Sequence, residues 1–123
     1  MNYTDLLGIK FKPHGRNKQE GYDCLGIAIE VLKRNGINLQ DIYYDSLKAN
    51  EKCWETLNSN FERIEKSEKN CIVEISSYSQ KRGHLAVYIG EGLIIHSLIK
   101  VGVCIEPLSR YEHRIEGYYK VNN

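Results

Sequence analysis

Cys24, His84 and His96 are the residues whose types and spacing could do chemistry together in this chain. Cys24 follows Asp23, a good helix-capping residue, and opens an apolar-periodic stretch, so it is expected at a helix N-terminus. Free backbone N–H groups and the helix macrodipole favour a thiolate there, and a lowered pKa would make the sulfur a nucleophile. Taken alone, a cysteine on an apolar helix face is more often core filling. His84 and His96 lie symmetrically about Gly90. Two strands joined by a tight turn centred there would set the histidines opposite each other on one face, close enough to hydrogen-bond. One imidazole would then hold the other in the right tautomer, the task of the third member of a nucleophile–base–orienter site. Each histidine alone reads equally well as a partly buried sheet residue. The agreement of all three in one short chain carries more than any single one.

The elements that must position these residues follow from periodicity. The helix beginning near Cys24 stops at Asn35-Gly36, and its apolar residues Cys24, Leu25, Ile27, Ala28, Ile29, Val31 and Leu32 cover about 200° of its circumference. Glu30, Lys33, Arg34 and Gly26 take the remainder, which describes a helix laid deeply against a core. Upstream, residues 4–9 suggest a short helix anchored by Leu6, Leu7 and Ile9. Residues 10–22 read as a loop that is locally basic, with four Lys or Arg against one acidic residue. A second helix is expected within 48–66, where Cys53, Leu57, Phe61 and Ile64 recur at helical spacing beside Trp54. From Cys71 the period changes to two. Strands are expected at 71–75, 84–89, 93–97, 101–105 and 115–121, with Gly90-Glu91-Gly92 turning the second into the third. Helices followed by an antiparallel meander predict an α+β domain, with the N-terminal helices packed on one face of a central antiparallel sheet.

Bulk properties narrow the classes. At 123 residues the chain suits one domain spanning 1–123, with a single core. Seventeen Lys and Arg against sixteen Asp and Glu give a net charge of +1, too little for a nucleic-acid-binding footprint. No apolar run approaches the roughly 18 residues needed to span a bilayer, so membrane insertion is not expected. The first residues carry no basic-then-apolar leader, so no signal peptide is read and a cytoplasmic or virion-associated location is expected. The four cysteines, at 24, 53, 71 and 104, lack CxxC spacing and are expected to be reduced, with no metal bound. Cys53 and Cys104 read as core or semi-core residues and Cys71 as the start of a strand.

The stretch Gly21-Tyr22-Asp23-Cys24-Leu25-Gly26 resembles the nucleophile motif of the NlpC-type cell-wall cysteine peptidases. His84-Leu85-Ala86-Val87-Tyr88-Ile89-Gly90 resembles their histidine strand, and Ile94-Ile95-His96-Ser97 the strand carrying their third polar residue. The twelve-residue separation of the histidines and the order Cys, His, polar residue are typical of that family. Leu7 to Gly15 resembles the segment before its nucleophile, so the likeness covers most of residues 6–97. The ending, from Glu106-Pro107-Leu108 through Tyr111 to Gly117-Tyr118-Tyr119, looks more loosely like the phage-tail-associated branch.

The resemblance implies a reduced papain-like domain that needs no cofactor and cleaves peptidoglycan stem peptides at the γ-D-glutamyl–diamino-acid bond. Cys24 would attack, His84 would move the proton and His96 would orient His84. The Cys24 backbone N–H would help hold the oxyanion. On the substrate side it implies Asp23 near the peptide's amino group, while Arg16 and His14 could meet stem-peptide carboxylates or simply be solvated. Phe11 stands where the family usually has a tyrosine, and Asn70-Cys71 where it usually has Gly-Asp; the first loses a hydroxyl at the site. Two other readings share the fold: a phage-tail or structural peptide-binding component with little turnover, its partners being tail proteins, and an amidase or acyltransferase acting on another small amide.

Overall fold

The chain wraps Asp23 so that a helix can start beside it. In the computed structural model, which describes residues 2–41, 61–76 and 84–122, helix α1 spans Cys24–Arg34. The Asp23 carboxylate caps it by accepting from the Gly26 N–H at 2.7 Å. At the far end the Ile37 N–H returns to Leu32 O at 2.9 Å, while Gly36 takes a φ of +77° that a side chain would resist. The buried face holds Cys24, Leu25, Ile27, Ala28, Val31 and Leu32, as the periodicity predicts. Gly26 is buried too, rather than facing outward with the polar residues, because the backbone of Gly15 lies directly against it.

Two short strands, β1 (Arg16–Asn17) and β2 (Gly21–Tyr22), pair within the basic segment expected to be a loop. The remaining strands form one antiparallel sheet: β3 (Phe61–Ile64), β4 (Ile72–Ile75), β5 (His84–Gly90), β6 (Leu93–Leu98), β7 (Gly102–Pro107) and β8 (Ile115–Val121). Their order across the sheet is β3-β8-β4-β5-β6-β7. Strands β4 to β7 are the expected meander. The last strand does not extend it but returns to lie between β3 and β4. A 3-10 helix, Leu108–Arg114, makes that return possible.

Helix α1 packs on β5 and β6. Its apolar face joins Ile72, Leu85, Val87, Ile95, Val103 and Tyr119 in one core. The opposite sheet face gathers Cys71, Val73, Ile75, Ala86 and Ile94, covered by Leu108, Tyr111 and Ile115. With both faces covered, every residue of β4 is buried and its apolar run shows little alternation. Among the described residues no helix is long and apolar enough to cross a membrane.

Two local expectations are corrected. Residues 4–8 form successive turns, with Leu6 N–H to Tyr3 O and Leu7 N–H to Thr4 O, instead of a helix. Leu6 is buried but Leu7 is exposed, so the segment has no helical face to bury. Phe61 and Ile64 lie on β3, not on a helix; the backbone of β8 pairs with Phe61–Ile64, and Phe61 packs on Tyr119 at 5.8 Å. That long-range pairing overrides the local spacing. Cys53, Trp54 and Leu57 lie outside the described residues.

Candidate active site

Cys24 is the first residue of α1, and its side chain is buried in the core shared with Leu85, Val87 and Ile95 of β5 and β6. The segment leading into it is tied down from three sides. Ser97 Oγ on β6 donates to Tyr22 O at 2.7 Å. Phe11 forms a parallel bridge with Tyr22, whose N–H donates to Lys10 O at 3.1 Å. Asp23 Oδ2 accepts from the His14 N–H at 2.9 Å, and its Oδ1 accepts from Arg16 at 2.7 Å in addition to Gly26 N–H. Arg16 also reaches Asp41 through Nε, at 3.0 Å. Phe11, His14, Arg16 and Asp23 are therefore brought together next to Cys24, with both Asp23 oxygens engaged by the chain's own donors.

His84 and His96 are also brought together, with Nε2 of His84 lying 2.8 Å from Nδ1 of His96. They are not directly opposite each other. The two-residue turn is Glu91-Gly92, both at positive φ, closed by the Gly90–Leu93 pair. A bulge between Tyr88 and Gly90 then resets the register to Tyr88–Ile94 and Val87–Ile95. Continued one step, that register sets Ala86 across from His96. His84 is two residues further on, still on the same face, and its ring reaches His96 diagonally.

The same diagonal step repeats on the next hairpin. His96 pairs with Cys104 and Ile94 with Glu106, so Glu106 is diagonal to His96. Glu106 Oε1 lies 2.6 Å from His96 Nε2 and accepts from Tyr111 Oη at 2.6 Å. Arg110 forms a very short ion pair with Oε2 of the same carboxylate. The Tyr111 ring meets the His96 ring edge-on, with centroids 5.4 Å apart. Glu106 was not singled out as a site residue in the sequence. The signal was present: a turn at Ile99–Val101 sets Cys104 against His96, and period two then puts Glu106 on the same face.

Electrostatics follow from this packing. Burial, then the charges of His96 and Arg114, pushes the His84 imidazole down to about 3, against a smaller opposing pull from Glu106. Burial also lowers His96, which is wholly buried, while Glu106 works the other way. Burial alone would raise Glu106, but hydrogen bonds from Tyr111, His96 and Arg110 outweigh it and hold the carboxyl at about 2. Burial and the Glu106 charge push the Cys104 thiol up to about 11 and move the Tyr111 hydroxyl well above its ordinary range. A ring nitrogen of His96, Cys104 Sγ and a carboxylate oxygen of Glu106 lie within 4.8 Å of one another, a mixed N, S and O donor set for a divalent ion. The Arg110 cation already on that carboxylate opposes such use.

The NlpC/P60 family model matches residues 8–117. No curated protein matches in sequence. Among solved structures, an NlpC/P60 family protein from Bacillus cereus ATCC 10987 is 22% identical with a TM-score of 0.72, the match covering 98% of this chain and 38% of that one. The NlpC/p60 domain of the peptidoglycan hydrolase SagA is 17% identical with a TM-score of 0.64, over 96% of this chain and 92% of that one. NlpC2 from Trichomonas vaginalis is 16% identical with a TM-score of 0.69, over 95% and 44%. The chain thus spans less than half the length of the Bacillus and Trichomonas proteins and nearly all of the SagA domain. With the family model matched over residues 8–117 and the fold shared by these neighbours, the chain belongs to the NlpC/P60 family.

Proposed function

We propose that this protein is a cysteine peptidase that hydrolyses peptidoglycan stem peptides at the γ-D-glutamyl–diamino-acid bond, with Cys24 as nucleophile, His84 as base and His96 as orienter. The observation that carries the reading is the 2.8 Å hydrogen bond between His84 and His96 on β5 and β6. Family membership and the naming of SagA as a peptidoglycan hydrolase support the substrate class. One domain, residues 1–123, would carry the whole reaction, without metal or organic cofactor.

In this reading the Cys24 thiol gives its proton to His84 and Sγ bonds to the peptide carbonyl carbon. Backbone N–H groups at the start of α1 stabilise the oxyanion. The tetrahedral intermediate collapses, the C–N bond breaks and the leaving amine takes the proton from His84. Water, deprotonated by His84, then hydrolyses the thioester and frees Cys24. Phe11, held beside Tyr22, supplies an apolar wall where a tyrosine hydroxyl would otherwise reach the site. Asp23, Arg16 and His14 flank the nucleophile on the substrate side. Asp23 and Arg16 meet a peptide only by exchanging partners they now hold, so their first contribution is to fix the loop beside Cys24.

The test is incubation of purified protein with peptidoglycan and with free stem peptides, followed by mass analysis of the fragments. Wild type should release peptides cut after the γ-D-glutamyl residue, and Cys24→Ala should release none. Identical fragment profiles from the two proteins would overturn the nucleophile assignment. Products of a different bond would overturn only the bond assignment.

A further inference from the structure

We infer that Glu106, clamped by Tyr111 and Arg110, is a positioning residue that sets the tautomers of His96 and His84, so that Nδ1 of His84 is the basic nitrogen offered to Cys24. The inference deepens the proposed function and rests on it for the roles of Cys24 and His84.

The reasoning starts at the carboxylate and runs along hydrogen-bond polarity. Tyr111 Oη donates to Oε1, and Arg110 can only donate to Oε2. A carboxyl gripped by these donors and held ionised has lone pairs to offer and no proton to give. His96 Nε2, 2.6 Å from Oε1, must therefore carry the proton of that bond. His96 is wholly buried and burial resists its second proton, so its Nδ1 is left as a lone pair. Nδ1 is 2.8 Å from His84 Nε2, which then has to be the N–H partner. A neutral His84 protonated at Nε2 is bare at Nδ1. One fixed carboxylate thus determines the proton on every nitrogen of the line Glu106–His96–His84.

The geometry suits this use. Glu106, His96 and His84 lie on β7, β6 and β5, each one diagonal step from the next on the same sheet face. The Tyr111 ring, edge-on to His96, closes the other side, and the Arg114 guanidinium lies over that ring at 5.4 Å. Besides Cys24, the charged and titratable groups facing the histidine pair among the described residues are Glu106, Arg110, Tyr111, Cys104 and Arg114. Only Glu106 among them is an acceptor placed on a histidine nitrogen.

Two measurements on the full chain test this. The first needs no turnover: long-range 1H–15N correlation of 15N-histidine-labelled protein near neutral pH. His96 and His84 should each show a protonated Nε2 and a bare Nδ1. Protonation of His96 at Nδ1 would overturn the inference whatever the enzyme cleaves. The second is kinetic. Glu106→Gln keeps the shape and removes the charge, and kcat should fall about 10- to 100-fold with KM within about twofold. The pH-profile limb set by the histidine pair should move to lower pH, because the neighbouring anion that favours the imidazolium is gone. Tyr111→Phe, which leaves Glu106 in place with one fewer donor, should lower kcat by a smaller factor, and it carries the test if Glu106→Gln fails to fold. Wild-type kcat and pH profile in a folded variant that still depends on Cys24 would overturn the positioning role and leave the proposed function standing. An inactive wild type would overturn the proposed function, while the tautomer measurement would still decide the proton assignment.

Discussion

Ser97 Oγ donates a 2.7 Å hydrogen bond to the carbonyl oxygen of Tyr22, joining the residue after His96 to the residue two before Cys24. Both are buried, so this is an internal tie between strand β6 and the start of helix α1. Odd-numbered residues of β6 face the helix and even-numbered ones face the opposite layer. Ser97 therefore fixes the entry to the helix, while its neighbour His96 reaches the other way to Glu106.

Removing that tie should have a measurable and bounded effect. In Ser97→Ala the Tyr22 carbonyl keeps the Lys12 N–H at 3.3 Å, so it is not orphaned. The expected loss is then about 1 kcal/mol, the net worth of one hydrogen bond, rather than the larger penalty for a buried unpaired acceptor. Urea unfolding should show a lower midpoint with an unchanged slope. A midpoint equal to wild type would mean the bond contributes nothing to holding the helix entry.

Stability should fall on acidification in a way that identifies its groups. His84 is pushed down to about 3 when folded, against an ordinary 6.5. Between those values the unfolded chain binds a proton that the folded chain refuses, so stability is lost as pH drops through that window. Glu106 acts in the same direction lower down: it sits at about 2 against 4.5, and its contribution fades as pH falls below 4.5. Each group adds a slope of at most about 1.4 kcal/mol per pH unit. Urea midpoints measured from pH 7.5 to 4 should decline from about pH 6.5 and steepen below about pH 4.5. His84→Asn should flatten the upper part of the curve. An upper part as steep in that variant as in wild type would show that His84 is not its source.

The thiols should separate by reactivity. Cys24 sits where helix N–H groups and the macrodipole favour a thiolate. Burial raises Cys71, and burial with the Glu106 charge holds Cys104 at about 11. Iodoacetamide labelling near neutral pH, followed by peptide mapping, should modify Cys24 well before Cys71 and Cys104. Equal rates at the three sites would contradict a thiolate at the helix start.

Much of this arrangement was legible in the chain, and the gaps have physical causes. Asp23, the apolar periodicity and Gly36 gave helix α1 its bounds because caps and stop signals act locally. Strands β4 to β8 fell where period-two runs predict them. The position of β8 was not legible, because inserting it between β3 and β4 depends on contacts across about forty to sixty residues. The same long-range pairing turned Phe61–Ile64 from an expected helix into an edge strand. The His84–His96 contact was anticipated with the wrong register: the turn lies at Glu91-Gly92, and the bulge leaves a diagonal pair. Side-chain period two forgave the error, since a shift by two residues keeps both rings on one face. Glu106 was missed because its role appears only once β7 is registered against β6.

Gly26 offers the sharpest separation of local propensity from packing. It is the third residue of α1, where exchanging glycine for alanine ordinarily stabilises a helix by about 1 kcal/mol. Here a Cβ would stand 2.1 Å from the Gly15 carbonyl oxygen and 3.3 Å from Asp23 Oδ1. The obstacle is backbone, held by the Gly15 N–H to Lys12 O bond and by the clasp of Arg16 on both Gly15 O and Asp23, so it cannot rotate aside. Gly26→Ala should therefore destabilise the protein by about 1–3 kcal/mol, the usual range for overpacking, in place of the propensity gain. The displaced Gly15 backbone is continuous with His14 and Arg16, both bound to Asp23 beside Cys24, so the proposed stem-peptide hydrolysis should drop as well. Thermal unfolding with a turnover assay on the same preparation checks both expectations. A Gly26→Ala protein more stable than wild type would show that the 10–22 segment yields freely, and that its contacts with Asp23 do not brace Cys24.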